Sequence, residues 1–157
     1  MQGQCMQRAL VAVDGTEQNK RMVEKAAAIA EGVGAELYLF SMLDPEAFDD
    51  EVETRNAIAE IEGTSYSDVN SLESVHADLE SLVDELFGDP AFDYETVVSV
   101  KDEDDHADGI LEAAEKFDCE HVFLTGRKRS PTGKAIFGDT VQSVLLNFDG
   151  EVTVSLQ

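Results

Sequence analysis

Basic side chains are scarce in this chain and unevenly placed. Four of its eleven Lys and Arg residues, Arg127, Lys128, Arg129 and Lys134, fall within TGRKRSPTGKAIFGDT, Thr125 to Thr140. Gly126, Gly133 and Gly138 punctuate the same stretch. Cationic groups among glycines suit an anion, because glycine lets backbone N–H groups come close to a phosphate and Arg can grip it bidentately. The spacing excludes the two commonest phosphate loops. A GxxxxGK[ST] loop would need glycine at Lys128 and Ser or Thr at Ala135, and GxGxxG has no counterpart. What remains is a glycine after a strand, a basic loop, and Gly138 opening a helix whose free N–H groups point into a crevice. Two other roles stay open for these residues. The glycines can serve loop geometry that requires positive φ, and the cations can pair with acidic helices of the same chain or of a dimer mate.

A second stretch, AVDGT from Ala12 to Thr16, is similar to the DxDGT loop of aspartate-based phosphatases, but Ala12 stands where the attacking carboxylate belongs. An SGGxDS adenylate-forming loop fails likewise, since Asp14 and Gly15 occupy its glycine positions. Asp14 is left either to meet a ligand at a strand end or to punctuate a turn. His76 and His106 read as solvated surface residues, and His121 begins a strand with no nucleophile or base partner identifiable nearby. Cys5 and Cys119 lie far apart, outside any CxxC or Cys/His spacing, so both read as free thiols, with Cys119 buried. We find no catalytic triad and no metal site.

These residues must be carried by elements, and the hydrophobic pattern supplies them. RALVAVDG is a short buried strand ended by a turn. Thr16 then caps a helix from Glu17 to Val33 with Met22, Val23, Ala26, Ala27, Ile29, Ala30 and Val33 at three-and-four spacing, stopped by Gly32 and Gly34. The strand ELYLFSML follows, completing a βαβ unit expected to be right-handed. Residues 44 to about 70 form an acidic, insertion-like connection. A helix is predicted from about Ser71 to Phe87, then the strand Tyr94 to Val100, a helix from Asp104 and Asp105 through Lys116, the strand EHVFLTG, a helix from Asp139 to Asn147, and GEVTVSL as a last edge or dimer-pairing strand. Strands and helices in alternation predict one α/β domain over residues 1–157, a doubly wound five-stranded parallel sheet with helices on both faces. Ligands of such sheets bind beyond the carboxyl ends of the strands, where VDGT, SMLD and TGRK lie.

The composition limits the partners. With 34 acidic against 11 basic residues the formal net charge is −23, which opposes binding to nucleic acid or an anionic membrane surface. Self-repulsion on that scale suits a salt-rich cytosol such as a halophile's, where the screening length falls to roughly 3 Å near 1 M. No apolar run reaches the roughly 18 residues of a membrane span, and MQGQCMQRALVAVDG lacks an export-signal pattern, so a cytoplasmic protein is expected.

Taken together, AVDGT after the first strand, SMLD after the second and TGRKRSPTGKAIFGD before the last helix resemble the universal stress protein family, over nearly the whole chain. The resemblance implies the adenine-nucleotide alpha-hydrolase-like fold with strand order 3-2-1-4-5, a homodimer formed through the C-terminal strand, and either nucleotide-binding or non-binding character. It implies ATP or a related adenine nucleotide, with magnesium, as a sensing ligand that is hydrolysed slowly at most; a non-binding member would be a dimeric protein-interaction module. The family's signature is Gly-x2-Gly-x9-Gly-[Ser/Thr] with an aspartate ending the first strand. Carried over, Asp14 matches that aspartate, Ala12 the small residue beside it, Met42 the apolar residue ending the second strand, Gly126 the first glycine and Gly138 the last. Arg127, Arg129, Gly133 and Lys134 fill the loop between them. Three departures stand out: Arg129 takes the second glycine's place, eight residues instead of nine separate it from Gly138, and Asp139 replaces Ser or Thr, with Thr140 next to it.

Overall fold

The computed structural model describes residues 7–43, 69–126 and 138–156. Five parallel strands, β1 (Arg8–Ala12), β2 (Glu36–Leu43), β3 (Tyr94–Val100), β4 (His121–Gly126) and β5 (Glu151–Leu156), form one sheet in the order β3-β2-β1-β4-β5. The helices are α1 (Glu17–Val33), α2 (Val69–Phe87), α3 (His106–Lys116) and α4 (Asp139–Asn147). The expected fold and strand order are therefore observed. The acidic segment after Leu43 and the basic loop after Gly126 lie outside the described residues.

β1 is central because it is apolar on both faces. Ala9 and Val11 pack with α1 and α2 residues such as Met22, Val23, Leu79 and Val83. Leu10 points the other way, into a cluster with Ile110, Ala113, Val141 and Val144 of α3 and α4. From β1 the chain steps outward to β2 and β3 with its helices on one face, then returns to β4 and β5 with its helices on the other. Right-handed crossovers require that switch of face when the direction of travel reverses.

Local chemistry sets the element ends. Thr16 Oγ1 accepts from Asn19 N at 3.2 Å and caps α1, and Gly34 ends it in the left-handed conformation with φ 75°. Gly88, with φ 68°, follows α2. The start of α3 differs from expectation: Glu103–Asp105 form a 3₁₀ turn, Asp105 makes no side-chain cap, and the α-helix begins at His106. At Gly109 the added Cβ of any other residue would lie 2.9 Å from Met42 Sδ and 3.3 Å from Phe40 Cζ, so this glycine lets α3 approach β2 closely. Val152 and Val154 of the edge strand β5 pack with the α3 and α4 layer, as their alternation predicts.

Candidate functional site

The order β3-β2-β1-β4-β5 reverses between β1 and β4, so the carboxyl ends of these two strands splay apart into a crevice. What holds its floor is Asn19, which is 1% exposed. Its Nδ2 donates to Ala12 O at 2.7 Å and to Thr125 Oγ1 at 3.0 Å, while its Oδ1 accepts from Asp14 N at 2.9 Å. One amide thus ties the end of β1, the start of α1 and the end of β4. Gln18 adds a second tie, its Nε2 donating at 3.1 Å to both Gly126 O and Ser155 O and joining the ends of β4 and β5. Neither residue stands out as a ligand candidate in the sequence. The signal for Asn19 was nonetheless present: position 19 continues the stripe of 22, 23, 26, 27 and 30 on α1.

Asp14 is exposed, and its Oδ1 accepts from Thr16 N at 2.9 Å and from Thr16 Oγ1 at 2.8 Å. This is the turn-punctuating role, and it leaves Oδ2 without a hydrogen bond among the described residues. Gly15, at φ 81°, makes the turn. Asp14 therefore takes the turn-punctuating role with one oxygen, while the other is not engaged by it.

The opening has two lobes that share Val13, Asp14 and His106. One, of about 630 Å³, lies between β1 and β4 and is lined by Ala12, Asn19, Asp104, Thr125 and Gly126, and by Gly138, Asp139 and Thr140 at the start of α4. The other, of about 720 Å³, extends toward α2 over Ser41, Met42, Val75, Leu79 and Leu82, with Asp78 and Glu85 beside them. Ala12, Asp14, Met42, Gly126, Gly138, Asp139 and Thr140, all anticipated from sequence, thus come together around one opening. Arg127, Arg129, Gly133 and Lys134 fall outside the described residues.

One role left open for the glycines does not apply to two of them. Gly126 and Gly138 are not in the positive-φ region: Gly138 has φ −59° and ψ 161°, and the positive-φ glycines among the described residues are Gly15, Gly34 and Gly88. Gly126 instead matters for space, since a Cβ there would sit 3.1 Å from Leu156 Cδ2 and 3.2 Å from Val154 Cγ1. Gly138 precedes α4 and supplies no side-chain cap, and Asp139 stands in the first turn, where a carboxylate favours the positive end of the helix.

The histidines are also less peripheral than the sequence implies. His76 is half-buried, with Nδ1 2.7 Å from Thr96 Oγ1. His106 is half-buried, lines both lobes and stacks on Phe40. His121 has partners after all: Nε2 lies 2.7 Å from Thr153 Oγ1, Nδ1 is 3.5 Å from Glu151 Oε2, and the ring stacks on Phe123. Burial holds the His121 pKa below its usual value, against the weaker opposing pull of the exposed Glu151. Cys119 is buried as expected, and burial, reinforced by Glu120, pushes its thiol up to about 12. Among the described residues no cluster of His, Cys, Asp or Glu is arranged to hold a metal ion, and no helix is long and apolar enough to cross a membrane.

The family model for the universal stress protein family matches residues 6–155. No curated protein matches the chain significantly. Among solved structures, a universal stress protein from Archaeoglobus fulgidus is 23% identical, with a TM-score of 0.65 over 94% of this chain and 97% of its own. A universal stress protein in complex with cAMP is 16% identical, with a TM-score of 0.64 over 97% and 98%. Another from Archaeoglobus fulgidus, in complex with dAMP, is 16% identical, with a TM-score of 0.61 over 96% and 98%. At these identities the likeness shows a shared fold.

Proposed function

Because the chain belongs to the universal stress protein family, we propose that it binds an adenine nucleotide, as a regulatory ligand, in the crevice between β1 and β4. The observation that carries this is the crevice itself: about 630 Å³ at the switch point of the sheet, floored by Asn19 and flanked by the start of α4. That volume lies within the roughly 300–1,000 Å³ of small-ligand sites. Nucleotide complexes of two similarly folded proteins, with cAMP and with dAMP, favour the same ligand class.

In this proposal the nucleoside end lies toward Asp14 and Met42, where Asp14 Oδ2 is an acceptor for ribose hydroxyl or adenine amino protons. The phosphate end, of ATP with magnesium or of a shorter nucleotide, lies toward Gly126, Gly138, Asp139 and Thr140. Arg127, Arg129 and Lys134, in the same loop as Gly133, supply the positive charge. Occupancy rather than turnover carries the signal. The signal reaches β5 through Gln18, which holds Gly126 O and Ser155 O together. The chain works as a single domain in a salt-rich cytoplasm and pairs through β5 with a second copy.

Thermal unfolding in concentrated KCl with AMP, ATP and ATP plus magnesium tests this. A ligand present at 100 times its Kd stabilises the native state by about 2.7 kcal/mol. A midpoint unmoved by every nucleotide at millimolar concentration overturns the proposal.

A second reading, a dimeric interaction module that binds no nucleotide, is favoured by one observation. Asp14, Asp104 and Asp139 all line the crevice, and a carboxylate at the first position of α4 already engages the positive end of that helix. Protein purified from its native cells with a stoichiometric adenine nucleotide in its acid extract excludes this second reading.

A further inference from the structure

The hydrogen bonds of Asn19 fix the chemistry of a neighbour that the family signature does not include. An amide side chain can usually be turned over without changing its shape, so its donors and acceptor must be assigned from its partners. Here the main chain makes the assignment. The atom facing Asp14 N must be the oxygen, because a backbone N–H only donates, and the atom facing Ala12 O must be the nitrogen, because a carbonyl only accepts. The second N–H of that nitrogen is directed at Thr125 Oγ1, 3.0 Å away, so the Thr125 hydroxyl is an acceptor in this contact. Its own proton is left over. Among the described residues no acceptor takes it, and Thr125 is half-buried on the wall of the crevice between β1 and β4.

We propose that Thr125 is a specificity-determining residue of this crevice: Asn19 donates to its oxygen and so presents its hydroxyl proton to an acceptor oxygen of the bound nucleotide. The inference rests on the nucleotide-binding reading above. Asn19 is then a positioning residue, acting on the ligand through Thr125 and through the main chain of Asp14. The arrangement divides the crevice chemically. Asp14 Oδ2 offers an acceptor at one side, and Thr125 offers a donor on the β4 side, beside Gly126 and the start of α4. A ligand that satisfies both carries donors at one end and acceptor oxygens at the other, as a nucleoside phosphate does.

The test is calorimetric titration of AMP and of adenosine into the full chain and its T125V and T125S variants, in concentrated KCl. Valine keeps the shape and removes both the donor and the acceptor that Asn19 Nδ2 uses, whereas serine keeps both. We expect T125V to bind AMP about tenfold more weakly and T125S to stay within about twofold of the parent, the scale of one hydrogen bond to a charged acceptor. If the acceptor is a phosphate oxygen, adenosine binds the parent and T125V alike; if it is a ribose oxygen, adenosine weakens in parallel with AMP. T125V that binds AMP within about twofold of the parent overturns the inference while leaving nucleotide binding intact. A parent chain that binds neither ligand overturns both. The unliganded urea midpoint of each variant is read alongside, since a purely structural role would lower it without changing affinity in the folded protein; T125A replaces T125V if the latter does not fold.

Discussion

A buried amide such as that of Asn19 stabilises a fold only while its partners are in place. Asn19→Ala leaves Asp14 N and Ala12 O without their side-chain partner. Unmet polar groups of this kind cost about 1–3 kcal/mol each. We therefore expect N19A to lose about 3 kcal/mol in urea unfolding, and a loss below about 0.5 kcal/mol, the scale of an ordinary surface change, would contradict the network described here. Asn19 was hard to foresee because its burial is decided by Thr125, 106 positions away, although its place on the apolar stripe of α1 was visible. Asp14, Met42, Gly126 and Gly138 were legible because each sits at a strand end or helix start, where residue type and turn geometry are read locally. The reason for Gly126 was not: clearance from Val154 and Leu156 is a property of β5, which only the folded sheet brings alongside.

Elements join here through few registers, which gives the residues at their margins unusual weight. β1 and β4 are in register at Ala9 with His121, Leu10 with Val122 and Val11 with Phe123. At one end of that short ladder Asn19 bridges Ala12 and Thr125, and at the other Glu120 Oε2 accepts from Gln7 N and Arg8 N at 2.9 Å. β5 pairs with β4 from His121 with Glu151 to Gly126 with Leu156, and the contact of His121 with Thr153 adds to that ladder. Since burial lowers the folded-state pKa of His121 below its ordinary value of 6.5, the unfolded chain takes up this proton first as pH falls. The contribution of a neutral His121 is thus full above pH 6.5 and is lost as pH falls through the lowered folded value. His121→Gln should flatten the stability profile in that window, read by urea unfolding at a series of pH values; an unchanged slope would show that His121 does not couple to folding. The alternation of strands and helices made this architecture readable from periodicity alone. The start of α3 was misplaced because Asp104 and Asp105 look like helix-initiating residues, yet they sit in a 3₁₀ turn and Asp105 does not cap.

Across the whole molecule, repulsion outweighs pairing. With a formal net charge of −23, the ion pairs among the described residues include those of Lys20 with Glu17 and Glu85 and of Lys101 with Glu112, each to an exposed carboxylate, and His121 pairs with the exposed Glu151 only when protonated. Exposed pairs contribute about 0–1 kcal/mol each, too little to offset so large an excess of like charge. Raising KCl from about 0.1 M to 1 M shortens the screening length from about 10 Å to about 3 Å, so the unfolding midpoint should rise by roughly 10 °C, the equivalent of a few kcal/mol for a chain of this size. A midpoint that stays level or falls would show that the acidity is not a burden on the fold. The strand order has a consequence in time as well as in space. The central strand is the first one made, and the partner for its second edge emerges only after more than a hundred further residues. At about 5–20 residues per second of synthesis, the 106 positions from Asn19 to Thr125 take between about 5 and 20 seconds. Until β4 is made, at least one edge of β1 lacks its partner, and one amide N–H of Asn19 lacks the acceptor it has in the folded chain. Arrival of Thr125 ends both conditions at once, so the threonine on the crevice wall also marks the moment at which a growing chain can close into its sheet.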